Sequence, residues 1–126
     1  MDEMSHIYLK QKCDRLCYQI LLLRDVKCQR CGSAINLVTS HCYGKKTWPP
    51  MRHELDNLLL LCHFCHSEFW HYSMDSAWVW FDEKWPERSK RLLEISRKKI
   101  KLNRVHYKDK AEELQQEYDR LKVIPF

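Results

Sequence analysis

The sequence predicts a single, mainly helical α+β domain over residues 1–126, held together by a bound metal ion. The chain has only two glycines, which indicates few tight turns. A run of four leucines at 58–61 is typical of a short buried strand. Two Cys-x2-Cys pairs have the spacing of zinc ligands: Cys28, Cys31, Cys62 and Cys65.

The first segment, residues 1–26, is predicted to contain a helix over about 2–23. Apolar residues recur there at the intervals of one helix face: Cys13, Leu16, Cys17, Ile20 and Leu23. Cys13 and Cys17 lie four residues apart and could be ligands, but a cysteine on an apolar helix face is more often a small buried hydrophobe. We assign the same role to Cys42, because it alternates with its polar neighbour along an extended chain.

Residues 27–72 are predicted to form the metal-bound core. Gly32 supplies the tight turn after the first cysteine pair. An alternating strand over 35–40 runs into His41, and a polar loop covers 44–56. The leucine strand then leads into a helix that starts near the last cysteine. Four thiolates close a tetrahedral shell, so we expect a structural Zn2+ held by Cys28, Cys31, Cys62 and Cys65.

The remaining residues, 73–126, are predicted to form a helical and basic extension. Ser73 or Asp75 can cap its first helix, on which four residues share a face: Ala77, Trp80, Phe81 and Lys84. A basic helix is expected over 86–101, because Pro86 suits the first turn of a helix. Asp109 can cap the last helix, whose predicted buried stripe is Ala111, Leu114, Tyr118 and Leu121. The five tryptophans are expected to be core anchors.

Basic charge is concentrated in one part of the chain. Residues 1–86 hold ten Lys and Arg and ten acids, whereas residues 87–110 hold ten Lys and Arg against three acids. Such a stretch can neutralise phosphates, although a solvated helix face is the common alternative. Beside a metal site we favour nucleic acid, with these contact residues: Lys45, Lys46, Arg52, Arg97, Lys98 and Lys99.

Cysteine usage and the N-terminal residues predict the compartment. The seven cysteines are an odd number, and four of them fall in metal-type pairs. The first residues do not resemble a signal peptide, and no apolar run is long enough to cross a membrane. We therefore expect a cytoplasmic protein with reduced thiols and no membrane partner.

Three polar residues around the zinc frame have the chemistry of a hydrolytic site. His41 is a candidate base, because an unperturbed imidazole titrates near neutral pH. His66 follows the last cysteine and is a candidate ligand for a divalent cation. Asn57, at the foot of the leucine strand, can hold the loop that carries His41 through backbone hydrogen bonds. Each residue alone has an ordinary structural alternative, but their joint arrangement favours a functional site.

Together these residues resemble the HNH endonuclease family, which has a ββα-metal, treble-clef-like fold. The matching positions are Cys28, Cys31, Ser40, His41, Gly44, Arg52, Asp56, Asn57, Leu61, Cys62, Cys65 and His66. The resemblance implies His41 as general base, Asn57 as the middle asparagine and His66 as the ligand of a catalytic Mg2+ or Mn2+. Within the family, the segments 20–25 and 69–85 are similar to phage-type proteins and to recombination nucleases of the NinG/Rap type.

One position departs from the family pattern. Many members carry an Asp or a His before the general base as a second metal ligand, whereas this chain has Ser40. The cation would then rest on His66 with water and phosphate oxygens, or recruit His71 or His41. Two further histidines match no catalytic position and are expected at the surface: His53 and His63.

The sequence-based hypothesis is therefore a metal-dependent HNH endonuclease that nicks or cuts DNA, with branched recombination intermediates among its candidate substrates. Structural Zn2+ and catalytic Mg2+ or Mn2+ are the expected cofactors, and DNA is the expected partner. If a phage encodes the chain, its compartment is the host cytoplasm. A second hypothesis, which Ser40 keeps open, is a non-catalytic zinc-stapled DNA-binding module. A third is a zinc-stabilised protein-interaction domain. The oligomeric state stays open, with a dimer as one option.

Overall fold

The computed structural model describes residues 2–123. Its elements in chain order are α1 Asp2–Arg24, β1 Leu37–His41, β2 Leu58–Cys62, a π-helix Cys65–His71, α2 Met74–Lys84, α3 Pro86–Ser96 and α4 Arg104–Lys122. Two short 3-10 turns, Pro49–Met51 and Leu55–Asn57, lie in the loop between the strands. The predicted mainly helical α+β architecture is confirmed. Among the described helices, none is long and apolar enough to cross a membrane.

β1 and β2 form an antiparallel pair, and all five residues of β2 are buried. Side chains alternate between the two faces of a strand, so the leucines of β2 enter two different cores. Leu58 and Leu60 pack with α1 and α4. Leu59 and Leu61 pack with Cys28, Cys62 and Cys65 and with the aromatic residues of α2. The sheet therefore lies between the two helical layers.

The second edge of β2 is closed by side chains instead of a third strand. Arg24 and Arg88 each donate from the guanidinium group to the Leu58 carbonyl, at 2.7 and 2.6 Å. Two residues further along, the Leu60 N–H donates to the Asp25 carboxylate at 3.0 Å. An unpaired backbone group in this buried position would cost about 1–3 kcal/mol. Together with the Gln29 N–H, which donates to the Leu60 carbonyl at 3.0 Å, these three side chains take the place of a neighbouring strand.

α1 packs along α4, and the buried roles expected of Cys13 and Cys17 are confirmed, since they are 0% and 2% exposed. The predicted stripe is wrong at its end: Leu23 is 38% exposed, whereas Leu21 is fully buried. Leu21 continues the four-residue row of the two cysteines, and Leu23 lies about 200° further around the helix. The predicted stripe of α4 packs into this core, with Ala111, Leu114, Tyr118 and Leu121.

The core on the other face of the sheet is aromatic. Trp70 and Phe81 are 1% and 0% exposed, and Trp78 and Trp85 pack against them. The rings of Trp78 and Phe81 meet edge to face, with centroids 5.6 Å apart. Ala77, which the sequence places on the same helix face as Phe81, is also fully buried. This core fixes the π-helix, α2 and α3 against the sheet.

The start of β1 differs from the prediction. The strand begins at Leu37 and not near Ile35, which is 72% exposed. Asn36, between them, has a left-handed φ of 54°, which interrupts the extended backbone. Asparagine tolerates this conformation better than most residues. The alternation seen in the sequence therefore overestimates the strand by two residues.

Two helix boundaries in the basic extension also differ. α3 ends at Ser96 and not near residue 101, and like charges one turn apart within 97–101 disfavour a longer helix. α4 starts earlier than predicted, because Asn103 and not Asp109 is its N-cap. The Asn103 side-chain oxygen accepts from the His106 N–H at 2.9 Å.

Asn103→Ala should lower the free energy of unfolding by about 1 kcal/mol, because an N–H in the first turn of α4 loses its acceptor. Asp109→Ala, which removes the cap predicted from sequence, is the control and should change it by less than about 0.5 kcal/mol. Urea denaturation at a fixed zinc concentration measures both values. Equal losses for the two variants would contradict the cap assignment.

Candidate metal centre and catalytic site

The sulfur atoms of the four predicted zinc ligands lie within 4.8 Å of one another: Cys28, Cys31, Cys62 and Cys65. The Sγ atoms of Cys31 and Cys62 are 3.6 Å apart. A tetrahedral shell with Zn–S bonds of about 2.3 Å requires sulfur separations of about 3.8 Å. The donor set and its spacing therefore fit zinc. Four cysteines that can hold a structural metal are thus brought together as the sequence predicted.

Each Cys-x2-Cys pair forms a knuckle, 28–31 and 62–65, and in both knuckles a backbone N–H group points at a cysteine sulfur. Cys31 N–H donates to Cys28 Sγ at 3.5 Å, and Cys65 N–H donates to Cys62 Sγ at 3.4 Å. Gly32 completes the first knuckle at φ +81°, where L side chains are strained. Burial raises the pKa of the Cys28 thiol, but hydrogen bonds from nearby N–H groups outweigh it and lower the pKa to about 6. The thiolate is the form that binds a metal.

Arg30 joins the metal centre to the π-helix. Its guanidinium group donates to Cys65 Sγ at 3.5 Å and lies 3.8 Å from the centre of the Phe69 ring. Four thiolates around Zn2+ leave a net negative charge, which this cation offsets. This role of Arg30 was not predicted from the sequence, because only the fold brings the first knuckle against the π-helix.

Asn57 is fully buried and bonds to the backbone of the loop between the strands. Its Oδ1 accepts from the Tyr43 N–H at 2.7 Å. Its Nδ2 donates to the carbonyls of Tyr43 and Met51, both at 3.0 Å. The amide thereby ties both ends of the segment after His41 to the foot of β2. These are the backbone contacts expected of Asn57 from the sequence.

His41 ends β1 and lines a small cleft of about 170 Å³. Its Nε2 lies 3.1 Å from the Arg52 carbonyl oxygen. Nε2 therefore carries the proton and donates, and Nδ1 keeps a free lone pair. Burial lowers the pKa of His41 to about 4, with help from the charges of Lys45 and Arg52 and against the bond to the Arg52 carbonyl. The imidazole is thus a neutral proton acceptor at pH 7.

A carboxylate from α1 lines the same cleft. Asp14 accepts from the Arg52 guanidinium at 2.9 and 2.7 Å and pairs with His53 Nε2 at 2.6 Å. Burial tends to raise the pKa of Asp14, but the bonds to His53 and Arg52 outweigh it and hold the pKa far below its usual range. The predicted surface position of His53 is wrong. It is 3% exposed, because its ring lies between Asp14 and Tyr107. His63 is exposed as predicted.

His66 lies between two polar partners. Its Nδ1 is 3.0 Å from Ser40 Oγ, and its Nε2 is 3.2 Å from His71 Nε2. The π-helix brings about the second contact, because its wide turn puts residues five apart on one face. An α-helix would separate them by about 140°. Burial, followed by the charges of His71 and other neighbours, lowers the pKa of His66.

The predicted base and the predicted metal ligand approach β1 from different sides. Ser40 and His41 are consecutive in the strand, so their side chains leave opposite faces of the sheet. The structure thus groups Ser40 with His66, and His41 with Asp14 and Arg52. Lys45 acts on both groups: after burial, which is the larger effect, its charge lowers the pKa of His41 and of His66.

The predicted nucleic-acid contacts are mostly exposed cations. Lys45 and Lys46 are exposed in the loop after β1, and residues 97–99 are exposed directly after α3. Arg52 is different, because Asp14 holds its guanidinium group at two nitrogens. Arg52 is therefore less available to a phosphate than expected from the sequence, and the other five residues keep their predicted accessibility.

Comparisons with known proteins identify no relative. No protein-family model, curated protein or solved structure matches the chain. The resemblance to HNH nucleases therefore rests on the motif residues, and the contacts described above are what bear on function.

Cys62→Ser should abolish zinc binding and give insoluble or unfolded protein, because structural zinc supplies on the order of 10 kcal/mol in small domains. Cys42→Ala is the matched control, since Cys42 is buried outside the cluster. It should keep the zinc content of the wild type. Elemental analysis and circular dichroism measure both properties. A well-folded wild type without metal would refute a structural role for zinc.

Proposed function

We propose that this protein is a metal-dependent endonuclease of the HNH type, which hydrolyses phosphodiester bonds in DNA. The observation that carries the proposal is a neutral imidazole, His41, fixed by a backbone carbonyl in a cleft that Lys45 and Arg52 also line. The order of the elements supports a ββα-metal, treble-clef-like core. β1 carries His41, Asn57 precedes β2, and a helical turn carries His66.

His41 is the proposed general base. Nδ1 can take a proton from water while Nε2 keeps its bond to the Arg52 carbonyl, and that bond stabilises the imidazolium. An anionic phosphate in the cleft would oppose the charges of Lys45 and Arg52 and raise the pKa of His41 from about 4 toward the working range. Asn57 keeps the loop after His41 in place, so the base stays oriented.

His66 and His71 are the proposed ligands of the catalytic ion. Two imidazole nitrogens bound to one ion at about 2.1 Å lie about 3.0–3.4 Å apart, and these Nε2 atoms are 3.2 Å apart. In the tautomer that carries its proton on Nδ1, His66 donates to Ser40 Oγ and leaves Nε2 to bind the ion. Ser40 then orients the metal ligand His66 and is not itself a ligand. When bound, the ion stabilises the departing oxygen. Mg2+ is bound mainly through oxygen ligands and water, so a pair of imidazole donors suits Mn2+ better than Mg2+.

His41→Ala and His66→Ala should slow DNA cleavage in different ways. Loss of the base should cut the rate by roughly 10²–10⁴-fold at any metal concentration. Loss of a ligand should leave activity that higher Mn2+ partly restores, and Ser40→Ala should raise the Mn2+ requirement by about 10–100-fold. The assay follows supercoiled plasmid with Mg2+, Mn2+ or EDTA.

His6→Ala is the control for these variants, because His6 lies on α1, its ring packs on Tyr107, and it lines neither cleft. It should cleave like the wild type, and zinc content shows that each variant is folded. If the wild type cleaves no form of DNA with any divalent ion, the enzyme proposal fails. A non-catalytic zinc-stapled DNA-binding module would then be the better description.

The exposed cations after α3 should contribute to DNA affinity through counterion release. Replacing Arg97, Lys98 and Lys99 together by alanine should reduce the slope of log K against log salt by up to about 2.7, or about 0.9 for each phosphate that is no longer neutralised. Arg120→Ala removes a cation that pairs with Glu117 on α4 and should leave the slope unchanged. Fluorescence anisotropy over a salt series measures the slopes. An unchanged slope for the triple variant would make this run an ordinary solvated surface.

A further inference from the structure

A second and larger cleft opens beside the loop that follows His41. It has a volume of about 800 Å³ and lies between segment 42–48, α2 and α3. This volume is in the range of small-molecule binding sites. Its lining residues include neither the zinc cysteines nor the histidines of the proposed catalytic site.

Three aromatic rings line this cleft. Tyr43 contacts both Trp48 and Trp78 edge to face, with centroids 5.2 Å apart in each pair. Trp48 is 39% exposed, and Met74 and Leu93 on the facing walls are each 46% exposed. The expectation that every tryptophan is a core anchor is therefore wrong for Trp48. Apolar and aromatic groups exposed together in a concave surface indicate a ligand site.

The charged groups of the cleft belong to α2 and α3. Asp82 accepts a hydrogen bond from Ser89 Oγ, which orients the carboxylate and leaves further acceptor capacity. Lys90 lines the same wall and is exposed. Aromatic walls, an oriented acceptor and a cation suit a planar ring that carries N–H donors and is linked to a phosphate.

We infer that this cleft holds one unpaired nucleobase of the DNA strand that is cut, an inference that rests on the nuclease proposed above. The base stacks on the aromatic walls, and Lys90 contacts its phosphate. Asp82 accepts from an exocyclic amino group, which adenine, cytosine and guanine carry. In thymine, the ring N–H lies between two carbonyl oxygens, and these oxygens repel the Asp82 carboxylate. A base inside a duplex enters only after it is flipped out, which costs a few kcal/mol, so a substrate with an unpaired segment is favoured.

Tyr43 connects the cleft to the proposed general base. It follows His41 by two residues, so their Cα atoms are at most about 7 Å apart. Asn57 holds the Tyr43 backbone at both its N–H and its carbonyl. A nucleobase that packs on Tyr43 is therefore bound beside the chain segment that carries His41.

Binding is tested on the zinc-loaded protein without added Mg2+ or Mn2+ and without a chelator, which would remove the structural zinc, so that the result does not depend on cleavage. A five-nucleotide single strand with one 2-aminopurine should lose fluorescence when it binds the wild type. Trp48→Leu should bind it about 5–100-fold more weakly. Tyr8→Leu, an exposed tyrosine on α1 outside the cleft, should bind like the wild type. Oligo-dC should compete about tenfold better than oligo-dT, and Asp82→Asn should remove this preference.

Cleavage is then compared on a fully paired duplex and on the same duplex with a short single-stranded gap, both with Mn2+. The wild type should cut the gapped substrate faster, and Trp48→Leu should lose that preference. DNA cleavage without fluorescence loss or gap preference overturns the inference and leaves the nuclease proposal standing. Fluorescence loss without cleavage keeps the base site and overturns the nuclease. Equal weakening by Trp48→Leu and Tyr8→Leu also overturns the inference, and circular dichroism confirms that both variants fold.

Discussion

The fold depends on the need to cover a strand that has no solvent face. Every residue of β2 is buried, so its two faces require two separate cores, and a two-stranded sheet alone would be marginal in water. Its free edge also needs hydrogen-bond partners. Arg24, Asp25 and Arg88 supply them from α1, the turn after α1, and α3. Burial lowers the pKa of Arg88, and the carbonyl groups around it are what make a cation acceptable there. The helices from both ends of the chain therefore meet at one strand.

The same strand positions the candidate site. The zinc knuckle continues from its C-terminal end, and Asn57 anchors the loop at its N-terminal end, so about 17 Å of rigid backbone separates the two. β1 pairs with this strand and presents Ser40 to one side and His41 to the other. A metal bound by the four cysteines therefore also holds β1 and the π-helix, which carry His41 and His66, in place. The proposed base and the proposed ligand of the ion are thus both carried by regular secondary structure.

Features that depend on spacing within a few residues could be predicted from the sequence. The cysteine pairs, the leucine strand and the buried Cys13 and Cys17 are of this kind. The burial of His53 could not be predicted, because it requires α1 to bring Asp14 against the loop between the strands. The His66–His71 pair requires a π-helix, and no apolar periodicity signals that turn. The backbone bonds of Asn57 agree with the sequence expectation, while the catalytic roles stay proposals.

The packing of α1 against α4 has a consequence for how the chain is made. The core that they share with β2 draws on residues near 13–21, 58–60 and 111–114. Closing such a long loop adds little entropic cost, since that cost grows only with the logarithm of loop length. The order of synthesis matters more. The chain is made from the N-terminus, and this core cannot be completed until α4 has left the ribosome. Until then the nascent chain carries the part of the α1 face that packs on α4 without its partner, whereas the two cysteine pairs can already bind metal.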